Sequence, residues 1–89
     1  MLLKITKSAR QFGYVIWTQK TDSAIGALIE HKSTVSVIFN GLLIGEKTVD
    51  WTYHRISIGY KFTRALPSTV NTFRLNYCDG VLRVEAINA

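Results

Sequence analysis

Two stretches of the chain alternate between apolar and polar positions around a turn signal. The first runs from Val35 to Phe39, through Asn40-Gly41, to Leu42–Val49. Asn-Gly between apolar runs predicts a hairpin with a two-residue type I′ turn, because both central positions need positive φ. A plain ladder then sets Phe39 against Leu42, Val37 against Ile44 and Val35 against Glu46. The other face pairs Ile38 with Leu43 and Ser36 with Gly45, and it carries Ile38, Leu43 and Val49 as an apolar surplus. The second stretch runs from Thr72 to Cys78, through Asp79-Gly80, to Val81–Ile87. Here Tyr77 faces Leu82, Leu75 faces Val84 and Phe73 faces Ala86, all apolar, while Arg74 faces Glu85 and Asn76 faces Arg83. Such a split suits a half-buried antiparallel sheet, and the Arg74–Glu85 couple adds about 0.2–1 kcal/mol.

The remaining segments carry shorter signals. Residues 1–12 read either as a short strand, with Leu3 and Ile5 alternating with Lys4 and Thr6, or as a loosely ordered arm. Tyr14-Val15-Ile16-Trp17 is β-branched and aromatic and predicts a buried strand. Thr21 or Asp22 can cap a helix over about 22–32, in which Ile25, Leu28 and Ile29 share a face. Gly26 weakens that helix by about 1 kcal/mol relative to alanine, and Lys32 complements its dipole. Arg55 to Tyr60 alternates as a strand, and Phe62 to Leu66 can form one helical turn that Pro67 and Ser68 end. The fold class expected is α+β: a small antiparallel barrel or curled sheet of five to six strands with one helix.

At 89 residues the chain has room for one core, so residues 1–89 are read as a single domain. An apolar share of 47% against 19% charged residues is the balance of a folding chain, not a disordered one. The apolar runs are too short to span a bilayer, and the start does not resemble a signal peptide, so no membrane partner is expected. The lone Cys78 rules out an internal disulfide and reads as a reduced thiol, with a cytoplasmic location.

Charge changes the picture more. The net charge is +5, unevenly placed. Residues 1–21 carry Lys4, Lys7, Arg10 and Lys20 without an acid, and residues 51–78 carry Arg55, Lys61, Arg64 and Arg74 without an acid. If the fold joins these windows, they form a surface that attracts a polyanion. Within the second window, Trp51 to Arg64 interleaves aromatic and basic residues. Aromatic faces can stack on bases while Arg and Lys neutralise phosphates. The same aromatic residues could instead serve a core or its rim.

Candidate chemistry is sparse. Asp50 and His54 are close in sequence, but no nucleophile motif accompanies them. His31, His54 and Cys78 do not have metal-ligand spacing, and the glycines are too isolated for a phosphate loop. No enzyme activity, metal or cofactor is expected.

The run Arg55-Ile56-Ser57-Ile58-Gly59, then Phe62-Thr63-Arg64-Ala65-Leu66-Pro67, then a strand, Asp79-Gly80 and Val81-Leu82-Arg83-Val84-Glu85-Ala86-Ile87 resembles the AbrB-type swapped-hairpin DNA-binding domain. The likeness covers about a third of the chain. Gly59 stands where that family has a proline in its first strand, and the 54 upstream residues have no counterpart. The resemblance implies a homodimer with Arg55, Lys61 and Arg64 as phosphate contacts. The function expected is a non-enzymatic nucleic-acid-binding module, of which a dimeric regulator is one form. Its contacts would come from Arg55, Lys61, Arg64 and Arg10, with aromatic help from Trp51, Tyr53 and Tyr60. The alternative is a protein-interaction or homo-oligomeric assembly domain.

Overall fold

The computed structural model describes residues 1–89. In chain order the elements are β1 (Leu2–Lys4), α1 (Lys7–Phe12), β2 (Tyr14–Ile16), a 3-10 turn (Gln19–Thr21) and α2 (Asp22–Leu28). β3 (Thr34–Phe39), β4 (Leu42–Asp50), β5 (Arg55–Ser57), α3 (Tyr60–Arg64), β6 (Thr72–Cys78) and β7 (Val81–Ile87) follow. The seven strands lie in the order β1-β6-β7-β3-β4-β5-β2 and curl into a nearly closed barrel. All neighbours are antiparallel except β3 and β7, which run parallel with Val37 beside Leu82. The expected α+β barrel is present. It has seven strands instead of five to six, and three short helices instead of one.

The second hairpin has the predicted register throughout, including Arg74 beside Glu85 and Leu75 beside Val84. The first hairpin keeps it only near its turn. Phe39 faces Leu42 and Ile38 faces Leu43, but Val37 then faces Gly45 and Val35 faces Lys47. A bulge at Ile44, beside Gly45 at φ 101°, shifts the ladder by one residue. Because side chains alternate, the shift reverses every later position. A plain ladder would set Glu46 on the core face opposite Val35. The bulge leaves Glu46 exposed and buries Val49, so the apolar surplus predicted for the outer face loses Val49 and keeps Leu43, exposed, with Ile38 half-buried.

The helix expected over 22–32 stops at Leu28. Glu30 and His31 both take positive φ, and the His31 N–H reaches the Gly26 carbonyl at 2.8 Å. That six-to-one bond is a Schellman ending, with Glu30 at the position glycine usually takes. The His31 ring then lies over Gly26, where an added Cβ would sit 2.4 Å from its Cε1. Gly26 therefore makes room for this fold-back. The strand expected through Tyr60 ends at Ser57, because Gly59 turns the chain at φ 110°.

Residues 1–12 form β1 and α1, and Leu3, Ile5 and Ala9 enter the core. Thr6 caps α1 by accepting the Ala9 N–H at 3.0 Å, and Gly13 ends it at φ 80°. The core gathers residues from every strand and from α1 and α2, with Phe39 edge-on to Phe73 at 6.1 Å between centroids.

The barrel has one open seam. Met1 and Leu75 exchange main-chain hydrogen bonds at 3.1 and 2.8 Å, and Ile5 bonds to Asn71. By antiparallel alternation the N–H and C=O groups of Leu2 and Lys4 point away from β6. The Trp17–His54 and Ile58–Gly13 bonds likewise turn those of Tyr14 and Ile16 away from β5. The two edges border a cleft of about 350 Å³ lined by Leu2, Lys4, Ile16, Trp17 and Thr18 among others.

Candidate nucleic-acid interface

The two strands and the α-helix of the first acid-free window each meet an element of the second. β1 pairs with β6, α1 packs on α3, and β2 pairs with β5. The close fit of α1 to α3 depends on Gly13, whose carbonyl accepts the N–H groups of Ile58 and Gly59 at 2.8 and 3.1 Å. A Cβ at Gly13 would stand 2.2 Å from the Tyr60 nitrogen. The windows therefore share a face.

On that face the aromatic and basic side chains interleave. The Arg55 guanidinium lies between two rings, 4.3 Å from the centroid of Tyr14 and 5.0 Å from that of Tyr53. Phe12 continues the row, 6.4 Å from Tyr14. Beside it, Arg64 lies 4.7 Å from the Tyr60 centroid and donates through Nε to the Gln11 carbonyl at 2.9 Å. Phe12, Tyr53 and Tyr60 are exposed to 52, 65 and 50%. Lys7 and Lys61 are exposed on the same two helices, and Lys7, Arg10, Gln11 and Arg64 line a shallow, open hollow of about 280 Å³.

Asp50 braces this surface. Its Oδ1 accepts the N–H groups of Thr52 and Tyr53 at 3.0 and 2.9 Å, and its Oδ2 lies 3.8 Å from Arg55. It does not pair with His54, the partner its sequence position offers. His54 turns to Asp22 instead, at 2.8 Å, where the Trp17 indole also donates at 2.6 Å. Desolvation pushes the Asp22 carboxyl up. The hydrogen bonds from Trp17 and His54, with the His54 charge, pull it further down, so it sits below the ordinary aspartate value.

No protein-family model, curated protein or solved structure matches the chain. The arrangement itself therefore carries the functional argument.

The named candidates divide. Arg55 and Tyr53 come together beside Tyr14, Arg64 and Tyr60 come together beside Gln11, and Lys61 lies next to Tyr60 on α3. Arg10 is close by, but its guanidinium binds the carbonyls of Leu66, Pro67 and Val70 at 3.0, 3.2 and 2.6 Å. It holds the loop after α3. Trp51 packs edge-on to Trp17 at 5.9 Å and donates to the Lys32 carbonyl at 3.3 Å, which is rim packing. Phe12, Tyr14 and Lys7 were not among the candidates. The bracket of Thr6 and Gly13 around Lys7–Phe12 is the sequence signal that places Lys7 and Phe12 on a helix facing the second window, while Tyr14 lies on the expected strand.

Proposed function

We propose that the chain is a non-enzymatic nucleic-acid-binding module. The observation that carries this reading is the meeting of the two acid-free windows along α1–α3 and β2–β5. That meeting puts Lys7, Arg55, Lys61 and Arg64 among the exposed rings of Phe12, Tyr53 and Tyr60. Cations that face solvent supply phosphate contacts, and rings beside them supply surfaces for bases. The resemblance of Arg55–Ile87 to the AbrB-type domain points the same way. Titration of fluorescent oligonucleotides at low and high salt tests it. Tight binding that collapses as salt rises is expected, and no binding at low salt overturns it.

A homo-oligomeric assembly domain is the second reading. It is favoured by the unpaired edges of β1 and β2 and by Leu42 and Leu43, exposed at the first hairpin tip. Unpaired strand edges are templates for another chain. Light scattering across a range of concentrations decides it: a constant monomer mass removes this reading.

A further inference from the structure

We infer that this face takes single-stranded nucleic acid, with bases stacked on Tyr53 and Tyr60, and discriminates against a duplex. The inference rests on the proposed nucleic-acid reading and narrows its ligand.

Three observations lead to it. First, Tyr53 and Tyr60 each have one ring face turned to a guanidinium, Arg55 and Arg64, and each remains half or more exposed. Each ring therefore has a cation against it and still keeps surface open to solvent. Second, the groups beside the rings are fixed. Asp50 fixes the Tyr53 main chain, Tyr14 lies behind Arg55, and the Gln11 carbonyl holds Arg64 over Tyr60. A surface braced in advance loses little freedom on binding. Third, exposed aromatic surface is gathered here: three of the chain's exposed large apolar residues, Phe12, Tyr53 and Tyr60, lie in this one region.

Phosphate attraction alone needs none of this. A duplex covers both faces of each interior base with its neighbours, so these rings could not reach them and only the cations would act. A single strand offers free base faces and a flexible backbone that can follow the row of rings and cations. The AbrB-like resemblance implies DNA, and the aromatic row favours its single-stranded form or RNA.

The test uses the whole chain and fluorescence anisotropy at one low salt concentration. Four probes of about 12 nucleotides are compared: single-stranded RNA, single-stranded DNA of the same sequence, its duplex, and an abasic single strand. The abasic strand keeps the phosphates and lacks the stacking faces. Tighter binding of either single strand, by about tenfold over both the duplex and the abasic strand, is expected. Tyr53→Leu is expected to lose about tenfold on the single strand and nothing on the abasic strand, while Tyr53→Phe keeps the affinity. Tyr53 is exposed, and circular dichroism confirms that each variant folds. Equal or tighter binding of the duplex, or equal binding of the abasic strand, overturns the inference and leaves the nucleic-acid reading standing. Failure to bind any probe overturns both.

Discussion

Asp22 Oδ1 lies 2.8 Å from Nδ1 of His54, 32 residues further along the chain. An ionised carboxylate only accepts, so Nδ1 carries the proton in this bond. Together with the Trp17 indole at 2.6 Å, the contact ties the start of α2 to β2 and to the turn before β5. Asp22 titrates below its ordinary value. A depressed folded value adds stability that is fully present above the unfolded value, about pH 4, and is lost as pH falls through the folded one. Urea midpoints measured from neutral pH down to about pH 3 should therefore drop at the acid end. Asp22→Asn should lower the neutral midpoint and flatten that drop. An unchanged acid profile in Asp22→Asn would show that other carboxylates carry it.

Gly13 and Gly41 both take positive φ, at 80° and 84°, but only Gly13 is hemmed in. Gly41→Ala should cost about 1–2 kcal/mol, the strain of a left-handed alanine. Gly13→Ala adds a collision with the Gly59–Tyr60 main chain and should cost about 3 kcal/mol or more. Chemical denaturation of the two variants side by side checks the difference.

Arg10 separates charge from structure. Arg10→Lys keeps the positive charge but gives up most of the contacts to Leu66, Pro67 and Val70. Stability should fall by about 1–3 kcal/mol, while oligonucleotide affinity changes less than twofold. A large loss of affinity in a folded Arg10→Lys protein would make Arg10 a direct contact.

The Arg74–Glu85 pair, 2.9 Å apart, has both side chains nearly half exposed. Water and salt screen such a pair. A double-mutant cycle with Arg74→Ala and Glu85→Ala should return a coupling of about 0.5 kcal/mol or less.

Lys7, Lys61 and Arg64 are the exposed cations of the proposed interface, since Arg55 has Asp50 beside it. Three phosphate contacts predict a log–log salt slope of about −2 on a single strand, which is about a 20-fold loss between 50 and 200 mM salt. Arg64→Ala should reduce the slope by about 0.7. A slope near zero would remove the electrostatic part of the proposal.

Much of the fold was legible where local chemistry and tertiary packing agree. Asp79-Gly80 set the β6–β7 register to the residue, because both faces of that hairpin already alternate correctly. Asn40-Gly41 set only the pairs nearest the turn. Further along, burying Val49 outweighed a regular ladder, and Gly45 allowed the bulge. The helix from Asp22 was visible in Ile25 and Ile29, but not its early end, since a left-handed Glu30 follows from the packing of His31 on Gly26 and not from propensity. In the candidate site, the basic and aromatic composition was legible. The partners were not: Tyr14 beneath Arg55 and the carbonyls around Arg10 come from residues 41 to 60 positions away, which no local pattern encodes.

The parallel pairing of β3 with β7 has a consequence for synthesis. Residues 36–39 complete their ladder only with residues 81–84, and β1 waits for β6 in the same way. While the C-terminal hairpin is still inside the ribosomal tunnel, the emerged chain has strand edges without neighbours and an uncovered core. Non-local pairing of this kind is slow to form. The sheet therefore completes only after β6 and β7 have emerged, and until then the nascent chain must stay soluble without the strands that later close around it.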